Sequence, residues 1–118
     1  MKLAVSNIAW DEAEQDKAFE LLKSRGVTGI EVAPTKLWPD WQGADQAAAE
    51  VASRALSAAG FVVPALQAIL FGKPDLKVFG STRQREDLIA HIELVSSLAK
   101  GLGAGVLVFG SPKNRDRG

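Results

Sequence analysis

Cysteine is absent from the 118-residue chain, which excludes disulfides, thiolate metal sites and cysteine nucleophiles together and agrees with a reducing cytoplasm. An excess of one charge is missing too. The 14 Lys and Arg residues offset 14 Asp and Glu residues, so no global field draws the chain to DNA, RNA or an anionic membrane. Long apolar runs are also lacking. After Lys2 only Leu3, Ala4 and Val5 precede Ser6 and Asn7, too few for the apolar region of a secretory signal, and nothing approaches the ~18 residues of a membrane span. These absences predict a soluble, cytoplasmic protein with neither nucleic acid nor membrane among its partners. What is present is 47% hydrophobic residues in a chain of one domain's length, residues 1–118, enough to bury a core.

The apolar residues alternate between two periods. Residues 2–7 are a short apolar run without helical period, read as a first strand ending at Ser6-Asn7. Asp11 and Glu14 resemble a capping box before the stripe of Ala18, Leu21 and Leu22, and Gly26 is the expected stop. Residues 27–33 put Thr28, Ile30 and Val32 on one face and Gly29, Glu31 and Ala33 on the other, as a strand does, until Pro34. Residues 34–43 read as a loop holding Trp38 and Trp41. Ala48, Val51, Ala52, Ala55, Leu56 and Ala59 then mark a helix closed by Gly60. Residues 61–67 form a third strand in which Pro64 lacks a backbone donor, and residues 68–80 a long loop. Ser81 or Thr82 caps a helix with the stripe Leu88, Ile92, Val95, Ala99 and Leu102, closed by Gly101 and Gly103. Val106-Leu107-Val108-Phe109 is the fourth strand, broken by Gly110-Ser111-Pro112. Four strands alternating with three helices specify a parallel α/β repeat of about 30 residues per unit, with right-handed crossovers.

A doubly wound sheet and a (β/α) barrel share that alternation. Both faces of a doubly wound strand meet helices and should be bulky, whereas Gly29, Glu31 and Ala33, then Val63, Ala65 and Gln67, are small with one polar group, which suits a barrel interior near its mouth. A glycine fingerprint for dinucleotide phosphates is missing, because Ser6-Asn7-Ile8-Ala9-Trp10 follows the first strand. That run, with Gly29-Ile30-Glu31-Val32-Ala33-Pro34, Pro64-Ala65-Leu66-Gln67 and Val108-Phe109-Gly110-Ser111-Pro112, resembles the N-terminal half of sugar phosphate isomerase/epimerases of the xylose-isomerase-like TIM barrel superfamily. Members are eight-stranded barrels of about 250 residues, so the resemblance implies half of a TIM barrel here.

The resemblance also implies a divalent metal, Mn, Mg or Zn, held by carboxylates and a histidine on later strands. There it polarises an aldose or ketose while carboxylates move a proton between adjacent carbons. No position of this chain corresponds to those ligands, so no cofactor is assigned to it. The polar lining of the first half does correspond: Glu31, Gln67 and Ser111, with Trp10 and Trp38 as apolar walls, a mixture suited to a sugar or sugar phosphate. Each has a plainer alternative. A structural partner could satisfy Glu31, and Trp10, Trp38 and Trp41 could be loop anchors. His91 reads as solvated or capping rather than metal-binding, and Lys113, Arg115 and Arg117 could hold a phosphate or form a frayed tail.

Two functions follow. One is the sugar-binding half of a metal-dependent isomerase or epimerase, inactive alone. The other is a non-catalytic sugar-binding or scaffold half-barrel. In either case four parallel strands leave open edges at the first and last, so homo-oligomerisation through those edges is expected. A DNA-repair endonuclease on the same barrel is disfavoured by one histidine and zero net charge.

Overall fold

Both long helices begin at a side chain that accepts a backbone hydrogen bond. Asp45 Oδ1 accepts from Ala48 N at 2.7 Å, which caps a helix over Gln46–Ala58 and satisfies one of its orphan donors. Ser81 Oγ accepts from Gln84 N at 3.1 Å while Gln84 Oε1 accepts from Ser81 N at 2.8 Å, a reciprocal box that opens a helix over Thr82–Leu102. Gly103, at φ 77°, ends it in the left-handed conformation that glycine adopts without strain. The first helix starts differently. A 3-10 turn over Glu12–Glu14 precedes Gln15–Ser24, and the Asp11 side chain makes no cap bond, because Glu14 N already bonds the Asp11 carbonyl at 2.9 Å.

The structure is a computed structural model, describing residues 3–109 and Asn114. Among these residues it is a mixed α/β protein with four α-helices and short parallel strands in two small sheets. The helices are α1 (Gln15–Ser24), α2 (Pro34–Leu37), α3 (Gln46–Ala58) and α4 (Thr82–Leu102). α2 replaces part of the expected loop, since Pro34 in the first turn has φ already set for a helix and loses no bond there. The strands are β1 (Ala4–Ser6), β2 (Gly29–Glu31), β3 (Ala65–Leu66) and β4 (Val106–Leu107). Among the described residues no helix is long and apolar enough to cross a membrane.

One continuous four-stranded ladder is not formed. β1 pairs with β2, Ser6 opposite Glu31, and β3 with β4, Leu66 opposite Leu107. Isolated parallel bridges, Gly29 to Val62 and Val32 to Leu66, join the two sheets. Three steps separate the bridge residues on β2's side and four on β3's, so the segment around Pro64 carries one extra residue. That is a bulge, placed where proline cannot donate to the ladder. Backbone bonds resume on either side: Ile30 N to Val62 O at 2.9 Å, then Val32 N to Ala65 O at 3.1 Å.

The bulge resets which side chains share a face. Pairing and alternation put Val5, Ile30, Val32, Leu66 and Leu107 on one face, and Ala4, Ser6, Gly29, Glu31, Val62, Ala65, Gln67 and Val106 on the other. Ile30, Val32, Phe61, Val63 and Leu66 pack with Leu88, Val95, Leu98 and Leu102 of α4 and with Ala49 of α3 into the core. Each such large side chain removed from water contributes roughly 1.5–3 kcal/mol. On the opposite face Gly29 lies so close to Ala4 that an added Cβ would sit 2.9 Å from the Ala4 Cβ.

The long connection over residues 68–80 is tied down by side chains. His91 Nε2 lies 2.6 Å from the Ile69 carbonyl, Trp41 Nε1 donates to the Phe71 carbonyl at 3.0 Å, and Asn114 Nδ2 reaches the Lys73 and Leu76 carbonyls. Ala68, Asp40 and Trp41 hold positive φ values of 51°, 57° and 63°, conformations that persist for residues other than glycine only where their surroundings hold them.

Candidate functional site

The carboxyl ends of adjacent parallel strands are where polar side chains gather without disturbing the ladder. β1 ends at Ser6, β2 at Glu31 in register with it, and Gln67 directly follows β3. Gln67 Nε2 donates to Ser6 Oγ, and Ser6 Oγ also accepts from Ile8 N at 3.1 Å, capping the 3-10 turn Asn7–Ala9. Ser6 and Gln67 lie two strand spacings apart, roughly 9.6 Å on a flat sheet. Their contact reaches over the end of the intervening β2.

Beside them, buried Asn7 accepts a hydrogen bond at Oδ1 from Ala33 N at 2.8 Å. That bond holds the chain leaving β1 against the chain leaving β2. The half-buried Glu31 carboxylate makes no hydrogen bond or ion pair among the described residues. A carboxylate in this position, flanked by a hydroxyl and an amide, can accept hydrogen bonds from hydroxyls of a ligand.

Gln67 also lines an open groove of about 480 Å³ walled by residues 68–74, Val108 and Asn114, with Lys73 as its basic side chain. The expected aromatic walls are placed elsewhere. Trp10 stands edge-on to Phe19, ring centroids 6.1 Å apart, and lines clefts against α1 and α3, of which neither Glu31 nor Gln67 is part. Trp38 is only 9% exposed and belongs to the core. Ser111, Lys113, Arg115 and Arg117 lie outside the described residues. Of the five residues expected at the site, Glu31 and Gln67 share the strand-end cluster. Ser6, whose position closing a strand is its only signal in the sequence, joins them.

His91 is neither solvated nor capping. It is 8% exposed, stands edge-on to Trp41 at 4.5 Å between centroids and meets the Ile69 carbonyl. Its pKa is lowered from 6.5, chiefly because burial disfavours the cation. The Ile69 bond opposes that shift, and the nearby Lys73 charge adds to it. Among the described residues no group of three or more His, Asp or Glu side chains could hold a metal ion, so the strand-end cluster offers one carboxylate with neutral partners. Comparison with protein-family models, curated proteins and solved structures finds no match to the chain.

Proposed function

We propose that the chain is the N-terminal half of a sugar phosphate isomerase/epimerase-like barrel in the cytoplasm, and that it binds an aldose, a ketose or their phosphate at the strand ends. The observation that carries the reading is the convergence of Ser6, Glu31 and Gln67 at the carboxyl ends of three neighbouring parallel strands. That is the end at which parallel α/β folds take ligands. The small residues Ala4 and Gly29 below the cluster support a barrel interior rather than a doubly wound sheet.

Glu31 would accept hydrogen bonds from two sugar hydroxyls, and Gln67 would turn its amide from Ser6 to a third. The described residues do not fit the Mn, Mg or Zn centre that the family resemblance implies, and no chemical step is assigned to one. Binding and orientation are the part proposed for this chain, and no turnover by it alone is expected.

Amide-resolved NMR of the labelled chain with a panel of pentoses, hexoses and their phosphates tests this. Shifts centred on Ser6, Glu31 and Gln67 are expected, lost in Glu31→Gln, with no isomerisation on adding manganese or magnesium. An unchanged spectrum up to about 10 mM, well above a millimolar Kd, overturns the sugar reading. Turnover by the chain alone overturns the assignment of binding without chemistry.

A further inference from the structure

The chain that follows β3 is held from one side. The Ile69 carbonyl meets His91 Nε2 at 2.6 Å and the Phe71 carbonyl accepts from Trp41 Nε1 at 3.0 Å, and the two rings stand against each other. In a planar trans peptide the next residue's N–H points opposite to the carbonyl. The amides of Leu70 and Gly72 are therefore both turned away from His91 and Trp41. Neither amide makes a hydrogen bond among the described residues, although Leu70 is only 4% exposed and a buried donor is ordinarily paired. The groove of about 480 Å³ is lined by residues 67–74, Val108 and Asn114 but by neither His91 nor Trp41. The rings thus stand behind the segment, and the two amides are turned to the groove side.

Lys73 supplies the charge. It lines the same groove and has no ion-pair partner among the described residues, and no carboxylate is among the described residues that line the groove. We infer that the groove binds a phosphate group, held between the Lys73 ammonium and the backbone N–H groups of Leu70 and Gly72. Backbone amides turned to one side beside a cation suit an oxyanion, since each such bond is charge-assisted. Gln67 belongs both to the groove and to the strand-end cluster, so one ligand can reach both. Attraction to Lys73 and repulsion from Glu31 would set it one way round, phosphate in the groove and hydroxyls at the strand ends. The groove volume lies within the ~300–1,000 Å³ of small-molecule sites. The inference rests on the sugar reading only for what the phosphate is attached to, and it makes a phosphorylated sugar, rather than a free one, the preferred ligand.

Titration of the labelled chain with inorganic phosphate, at constant ionic strength in chloride, tests the site without any sugar. Saturable shifts of the Leu70 and Gly72 amides are expected, and their absence up to about 10 mM, well above a millimolar Kd, overturns the inference. Lys73→Gln should weaken phosphate binding at least about tenfold, whereas Lys100→Gln, at an exposed position in the last turn of α4, should leave it unchanged. Equal losses in the two variants, or none in Lys73→Gln, refute the site. The wild-type titration decides alone if a variant misfolds. A pentose phosphate should then bind at least about tenfold more tightly than the same free pentose, with shifts at Glu31 as well as at Leu70 and Gly72. Equal affinity for the free and phosphorylated sugar refutes the inference and leaves the sugar reading standing. A pentose phosphate that binds no better than inorganic phosphate and leaves Glu31 unshifted sinks the sugar reading and leaves the phosphate site standing.

Discussion

Gly101 of α4 lies directly on Ala49 of α3. A Cβ built on Gly101 would come within 2.6 Å of the Ala49 Cβ and 2.7 Å of the Gln46 carbonyl oxygen, so these helices approach to a distance that no larger residue permits. The contact involves backbone as well as side chain, and neither can swing aside as a long flexible chain would.

Gly101→Ala should therefore destabilise the protein. In an exposed helix the same change gains roughly 1 kcal/mol, but overpacking a close helix contact costs about 1–3 kcal/mol, and the steric cost wins. Urea unfolding of the variant is expected to show a lower midpoint with an unchanged slope. A raised midpoint would show that α3 and α4 are not held this closely.

The two close-packing glycines show where sequence pattern stops being informative. α3 and the cap and stop of α4 are readable because their determinants are local: the apolar stripe from Ala48 to Ala59, Ser81 with Gln84, and Gly103 after the last turn. Gly101, expected to end the helix, is inside it, because a helix-packing requirement and a helix stop leave the same letter in the sequence. Pro64 warns of an interrupted ladder but not that an extra residue shifts Val62 and Leu66 to opposite faces. The strand-end site was half legible. Glu31 and Gln67 follow from alternation and position, whereas the placement of Trp10 against Phe19 and of His91 under residue 69 depends on contacts between distant segments.

Asn7 and Glu31 should separate structure from function. Asn7→Ala removes the acceptor of the buried Ala33 N–H, and an unsatisfied buried donor costs about 1–3 kcal/mol. Glu31→Gln removes a charge that has no partner among the described residues, so its stability should stay within about 0.5 kcal/mol of the parent. Thermal melts of both variants check this. A large loss in Glu31→Gln would mean that the carboxylate holds the fold rather than a ligand.

The anchors of residues 68–80 should act locally. Trp41→Phe keeps the ring against His91 but removes the donor to the Phe71 carbonyl, a net loss of about 1 kcal/mol. Hydrogen exchange should quicken at Phe71 and Lys73, whose amides bond the Ala68 and Leu70 carbonyls within the same turn, and not at Val95 or Leu98 in the core. Uniform acceleration would show that this segment opens only when the whole domain unfolds.

His91 gives the protein a predictable response to acid. Burial holds its pKa below 6.5 in the folded chain, and Lys73 reinforces the shift, whereas unfolding restores the ordinary value. Below pH 6.5 the unfolded state therefore takes up a proton that the folded state resists, and stability falls as pH drops from 6.5 towards the folded pKa. Above 6.5 both states are neutral at this residue and its contribution no longer changes with pH. A glutamine at position 91 does not titrate, so the stability gap between the parent and His91→Gln should be greatest above neutrality and shrink as pH falls to about 5. Paired urea titrations at several pH values measure that gap. A gap that widens on acidification would mean that the folded state favours the imidazolium, and that burial against Ile69 and Trp41 does not govern this residue.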